Sequence, residues 1–250
     1  MIGMVHTASS LDCLRENGRI VAKVHRELKK LIKPGISTMF LEDTAKEIIY
    51  GERAVPGFLG YKGYGYATCI SLNEEIVHGA PSHTRFLEEG DLISIDVGTY
   101  LDGFFGDAAR SWIVGQPKNE EDVTLLRATR ECLNRAIQRA KSGITVGTLG
   151  EVIERHATKF GFYVVKNYIG HGIGRSLHMF PAVYNYKSDD EGIILKEGMV
   201  IAIEPMLVLD CADNYVLDNG WTVVTANGKN SAHEEHTVVI HKDYAEIITC

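Results

Sequence analysis

Five ionisable side chains stand where a folded chain would ordinarily carry apolar ones, and any structure must either solvate them or give them partners. Asp96 interrupts LISIDVG, Asp107 lies in GFFGDAARSWIV, His171 in YIGHGIG, Glu204 in VIAIEPM and Glu235 in SAHEEHTVVI. A lone buried carboxylate is costly, so such groups persist when paired, hydrogen-bonded or bound to a cation. Four carboxylates and one imidazole, with no thiol among them, form a hard donor set. It suits divalent manganese, iron, cobalt or zinc.

The elements around these residues follow a repeated order. Leu14, Val21, Val24, Leu28, Leu31 and Ile32 recur at helical spacing and predict a helix over about 10–32, stopped by Pro34 and Gly35. Thr38 is expected to cap a second helix carrying Leu41, Ala45, Ile48 and Ile49. A glycine- and tyrosine-rich loop follows, then strands at 68–72, 75–78, 91–97 and 108–114. The second half opens with a long helix striped by Leu125, Leu126, Thr129, Cys132, Leu133 and Ala136 and ended by Gly143. A further helix starts near Thr148, where Thr148 and Glu151 read as a capping box, and stops before Gly161. Strands are expected at 162–168, 199–209, 215–217, 221–225, 236–241 and 246–249, with His171 in a loop between them. Two helices followed by strands, twice over, predict an α+β fold with pseudo-twofold symmetry, an antiparallel sheet core and flanking helices. No linker divides the chain, so residues 1–250 are expected to form a single catalytic domain.

The spacing of the acids carries chemistry. If the strands bearing Asp96 and Asp107 form a hairpin with these residues directly opposite, the turn centres between Leu101 and Asp102, and YLDG supplies an Asp-Gly turn. Opposite residues share a face with Cβ atoms about 4.5–5.5 Å apart. Two buried carboxylates that close require a proton or a cation between them. Glu204 precedes Pro205, which holds it extended. Glu234 and Glu235 alternate in direction, so one of the two belongs with the site, and periodicity does not choose. His171 sits between Gly170 and Gly172, which let its ring approach closely. Such a set can hold two ions about 3.5–4 Å apart, which activate water and polarise a carbonyl for amide or ester hydrolysis. His78 and His178 stand outside the donor count as proton carriers, carbonyl donors or structural imidazoles.

Several stretches match one known family in order and spacing. YIGHGIGRSLHMFPAVYNY, SIDVG with DGFFGDAAR, IEPM, GWTVVT and EHT together make the chain similar to the type I methionine aminopeptidases of the short bacterial kind, which have the pita-bread fold. The resemblance covers nearly the whole length. It implies that Asp96 chelates one metal, that Asp107 and Glu235 bridge two, and that His171 and Glu204 complete the other shell. Glu235 rather than Glu234 is thereby the ligand. It further implies that a metal-bridging hydroxide attacks the carbonyl of an N-terminal methionine, with Glu204 as proton carrier. His178 would steady the oxyanion and His78 would contact the scissile amide. Phe58, Tyr61, Tyr64, Cys69, Leu177 and Trp221 would wall the methionine pocket. Phe58 stands where bacterial relatives commonly have cysteine and Leu177 where they have phenylalanine. Lys62 replaces a frequent histidine and Met179-Phe180 an acidic pair. Methionine preference is expected to survive, with altered tolerance of other side chains.

Composition narrows the alternatives. Lys and Arg number 26 against 33 Asp and Glu, a net −7, which disfavours a nucleic-acid surface while leaving room for a local basic patch. No stretch is long enough to span a bilayer and the opening residues lack a signal-type apolar core. The five cysteines are scattered without a CxxC pair, as expected of reduced thiols in a cytoplasm. The expected cofactors are two divalent ions (cobalt, manganese, iron or zinc). The expected partners are nascent polypeptide N-termini and the ribosome, with no nucleic acid bound directly, no membrane, and a monomeric state. Proline-directed exopeptidases share the ligand set but carry a large extra N-terminal domain, for which Asp96 arrives too early. A non-catalytic peptide-binding scaffold would have lost ligands, whereas all five are present.

Overall fold

A computed structural model describes residues 5–250. Helix α1 (Ala8–Leu31) begins at Thr7, whose hydroxyl accepts from the Ser10 amide, and buries Leu14, Ile20, Val21, Val24 and Leu28. Helix α2 (Thr38–Gly51) packs beside it and buries Leu41, Ala45 and Ile49. Its cap is Ser37, not Thr38: the Thr38 hydroxyl is already held by the backbone of Ser82, at 2.9 Å from its amide and 3.2 Å from its carbonyl. Both helices lie on the sheet formed by Val55–Pro56, Leu92–Leu101 and Thr68–Leu72, with Phe104–Ile113 also paired to Leu92–Leu101.

Helices α3 (Glu120–Arg139) and α4 (Val146–Lys159) repeat the arrangement. Their apolar stripes pack on a five-stranded antiparallel sheet of order Ala245–Ile247, His236–Ile240, Val200–Ile203, Gly170–Gly172, Met179–Val183. Here too the caps differ from expectation. α3 ends at Ala140, and Gly143, with φ +89°, turns the chain afterwards and donates to Leu195 O. α4 is capped by Thr145, which accepts from the Thr148 amide, so Thr148 lies inside the helix.

The Leu92–Leu101 and Phe104–Ile113 strands form a hairpin whose pairing register is shifted by two residues from that expected. Asp96 pairs with Ala109 and Asp107 with Gly98, and the turn lies at Asp102-Gly103, both left-handed with φ of 54° and 82°. The shift preserves side-chain parity, so Asp96 and Asp107 keep a common face but as diagonal neighbours rather than directly opposed. The expected strand over 199–209 is two strands, Val200–Ile203 and Met206–Val208. The break falls at Glu204-Pro205, because proline brings no N–H to a ladder. The expected strand over 162–168 reduces to Tyr163–Val164. Four short strands escaped the sequence reading: Val55–Pro56, Gly170–Gly172, Met179–Val183 and Ser231–His233. Three of them are too brief or too glycine-rich to show a period of two, and Met179–Val183 is interrupted by Pro181.

A third apolar cluster sits between the two helix-and-sheet layers and gathers Phe58, Tyr64, Cys69, Phe104 and Leu177, with Tyr61 and Trp221 packed against it. All five cysteines are free. Among the described residues no helix is long and apolar enough to cross a membrane.

Candidate metal centre and substrate cleft

The five interrupting side chains converge. Asp96, Asp107, His171, Glu204 and Glu235 share the wall of one cleft of about 400 Å³. Asp107, His171 and Glu235 each bring a donor atom to within 4.8 Å of the others'. His171 Nε2 lies 3.7 Å from Asp107 Oδ2 and 3.5 Å from Glu204 Oε1. Glu234 and Glu235 fall at the break between Ser231–His233 and His236–Ile240 and diverge. Glu235 enters the cleft, while Glu234 turns away to Arg130 Nε at 2.7 Å.

Local structure explains how each group is held. The glycines beside His171 serve close strand packing rather than a special dihedral. A Cβ on Gly170 would lie 2.3 Å from Ala202 O, and one on Gly172 the same distance from Phe180 O. His171 is therefore on a strand, not in the loop expected for it. Its Nδ1 lies 3.0 Å from Gly172 O. A carbonyl only accepts, so Nδ1 carries the proton and Nε2 offers its lone pair to the acids. Burial lowers the imidazole to about 4, keeping it neutral.

The acids are not satisfied by protein. Asp96 Oδ1, Asp107 Oδ1 and Glu235 Oε1 are shut off from solvent without a hydrogen-bond partner. Glu42, equally buried, gives the contrast: it takes the Ala67 and Thr68 amides, the Thr68 hydroxyl and Lys46. Burial raises Asp96 to about 7. Burial, then the charges of Glu235 and Asp96, pushes Asp107 well up. Burial followed by Asp107 does the same to Glu204, and burial followed by Glu204 to Glu235. Orphaned oxygens, mutual repulsion and a neutral imidazole lone pair together fit divalent cations, which would relieve all three at once.

The flanking residues expected to touch substrate also line this cleft: Phe58, Tyr61, Tyr64, Cys69, His78, Leu177, His178 and Trp221. Cys69 is the direct cross-strand partner of Asp96, so the aromatic wall begins beside that acid. The Phe58 ring packs where a Cβ on Gly98 would be, 2.4 Å from Cε1, and Gly98 is the partner of Asp107. The Tyr61 hydroxyl is 2.7 Å from His178 Nδ1, and the His178 ring meets His171 edge-on with centroids 4.3 Å apart. His178 is at the open mouth, but burial of its ring, then His171 and Lys62, still lowers its pKa. His78 has φ 59°, a left-handed conformation that costs a non-glycine residue about 1–2 kcal/mol. Its ring stands edge-on to Tyr168 at 5.5 Å, and burial followed by Lys62 lowers it to about 4.

His233 was missed from sequence. It is buried, its Nε2 has no hydrogen-bond partner, and that atom lies 3.7 Å from Glu204 Oε2. The signal was its parity with Glu235, two positions on. Tyr168, Ile169 and Met206 also line the cleft without having been singled out.

A buried carboxylate-and-imidazole centre beneath an apolar wall, between two helix-backed antiparallel sheets, defines a metallopeptidase. The chain matches metallopeptidase family M24 over residues 12–242 and belongs to it, with the pita-bread fold. It is 44% identical to methionine aminopeptidase 1 of Bacillus subtilis, covering 97% of each chain. It is 38% identical to the methionine aminopeptidase of Escherichia coli, covering 98% of this chain and 93% of that one. Its structure is similar to the crystal structure of methionine aminopeptidase from Thermotoga maritima, with a TM-score of 0.96, 42% identity and 98% of each chain covered. Prolidase from Pyrococcus furiosus shares the fold at a TM-score of 0.80 and 24% identity, and this chain spans 65% of its length.

Proposed function

We propose that this metallopeptidase removes N-terminal methionine from nascent proteins and peptides whose second residue is small. Residues 1–250 act as one catalytic domain. The observation that carries the reading is the cross-strand pairing of Cys69 with Asp96. It sets an apolar, aromatic wall directly beside the centre, so a thioether side chain and its own α-amino group can be accommodated together. Methionine sulfur favours aromatic neighbours at about 5 Å, and Tyr64, Trp221 and Phe58 supply them.

Asp96, Asp107, His171, Glu204 and Glu235 hold two divalent cations of the manganese, iron, cobalt or zinc type. When bound, these supply Lewis acidity: a polarised carbonyl and water acidic enough to ionise near neutral pH. The remaining work falls to the chain. Asp96 orients the α-amino group, which limits cleavage to one residue. Glu204, at the cleft wall, accepts the proton of the attacking water and returns it to the departing amine. With Tyr61 donating to His178 Nδ1, the opposite Nε2–H is directed at the carbonyl oxygen as negative charge develops there. His78, held in its unusual backbone conformation at the cleft wall, donates to the scissile amide. Phe58 adds bulk and Leu177 removes it, so pocket volume is kept while shape changes.

Cleavage of Met-, norleucine- and Leu-initiated peptides and of X-Pro peptides tests this. The expected order is Met, then norleucine, then Leu, with X-Pro bonds untouched and activity abolished by a chelator. Equal rates for Met and Leu would defeat the pocket assignment; activity that survives exhaustive chelation would defeat the metal centre.

A further inference from the structure

Behind the segment that carries Glu235 lies a second cavity, of about 480 Å³. Its lining is cationic: Arg26 and Lys29 from α1, Arg110 from the Phe104–Ile113 strand and Arg130 from α3, against the carboxylate of Glu234. The chain as a whole carries a net −7, so this concavity runs against the average surface.

The two inner guanidiniums are pre-positioned by the fold. Arg130 donates from Nε to Glu234 Oε1 at 2.7 Å and from Nη2 to Ser111 O. Arg110 donates from Nη1 to Glu235 O at 3.0 Å and from Nη2 to His236 Nε2 at 2.5 Å. Its Nη1 is also 3.6 Å from Glu234 Oε2. Two guanidiniums therefore share the one side-chain carboxylate that lines the cavity. Glu235 and Cys250 also lie close enough to act electrostatically on Arg110, and the Glu235 carboxylate opens into the opposite cleft. A guanidinium has five donors. The bonds above leave Arg130 Nη1 uncommitted among the described residues. Arg26 at the rim has a 3.8 Å contact with its neighbour Glu27. The Trp112 ring, 6.0 Å from His25, gives one wall an aromatic face.

Fixed planar forks with spare N–H groups, backed by a flexible ammonium, match the oxygens of a phosphate group better than a single carboxylate. We propose that this cavity is an anion site for small phosphate-bearing molecules. Its size suits a compact ligand rather than an extended polymer.

Calorimetric titration with pyrophosphate and with ATP tests this, run in parallel on the wild type and on an Arg26→Glu/Lys29→Glu double variant. Unliganded melting temperature reports whether the variant is folded. Saturable binding of pyrophosphate that weakens about tenfold or more on charge reversal is expected. ATP binding more tightly than pyrophosphate would assign a nucleotide, using Trp112; equal affinities would assign the phosphate group alone. Three results would overturn the proposal. One is the absence of saturable binding. Another is equal affinity in wild type and folded variant, which would put the anion on the metal centre. The last is binding to an RNA oligonucleotide with none to pyrophosphate. Should Arg26→Glu/Lys29→Glu not fold, Lys29→Ala alone replaces it and is read in the same way, with a smaller loss expected.

Discussion

Replacing Asp96 by asparagine should stabilise the metal-free protein, and increasingly so as pH rises. Burial raises the Asp96 carboxyl from 3.8 to about 7 in the folded protein. A raised carboxyl binds its proton more tightly folded than unfolded, so folding loses stability as pH climbs through the interval between those values. About three units at ~1.4 kcal/mol each amount to ~4 kcal/mol in total. Roughly two of those units lie between pH 5 and pH 7, so the advantage of the variant should grow by about 2–3 kcal/mol over that range. For a chain of this size that corresponds to a melting-temperature gap widening by roughly 5–10 °C. Asparagine keeps an oxygen to accept the Val97 backbone bond that Asp96 takes. The buried histidines His25, His233 and His236 are pushed down and add stability with the opposite sign as pH rises, but they are common to both proteins and cancel. The assay is thermal unfolding of both proteins in chelator from pH 5 to 8, then in saturating manganese. In metal the order should reverse, because only the wild type keeps the full donor set, and ligand binding stabilises by mass action. A gap independent of pH, or one that narrows as pH rises, would refute the account of these acids as repelling, metal-seeking groups.

Three further outcomes follow from particular contacts. His178→Ala should lower kcat about 100-fold with little change in KM, the loss typical of an oxyanion donor, and Tyr61→Phe should lower it less; a change confined to KM would contradict the assigned role. Phe58→Ala should destabilise by about 3–5 kcal/mol in denaturant titration, because a 7% exposed ring that covers Gly98 is lost, and should raise KM for Met peptides more than for bulkier first residues. Gly172→Ala should reduce bound metal measured by elemental analysis, because its Cβ would meet Phe180 O at 2.3 Å and displace the strand that carries His171; full metal occupancy would count against this.

Sequence by itself determined the helices, the α+β class and four of the five side chains that meet in the cleft, with Glu235 implied only by the family resemblance. Those signals are local: helical stripes such as Leu14 to Leu28 follow from a period intrinsic to the backbone, and a charge inside an apolar run stands out wherever that run is placed. It also carried the common face of Asp96 and Asp107, since a two-residue error in register leaves parity intact. Tertiary structure alone decided the rest. Which of the adjacent hydroxyls of Ser37 and Thr38 caps α2 depends on what packs alongside. Glycines 170 and 172 proved to be demanded by carbonyls of distant strands, and His171 came out of a loop into a sheet. The Glu234 side chain is drawn away from the cleft by the Arg130 and Arg110 guanidiniums while the Glu235 side chain enters it, a choice no periodicity encodes. Contacts between residues a hundred or more positions apart depend on how layers stack, and stacking is settled by the whole core rather than by any window of the chain.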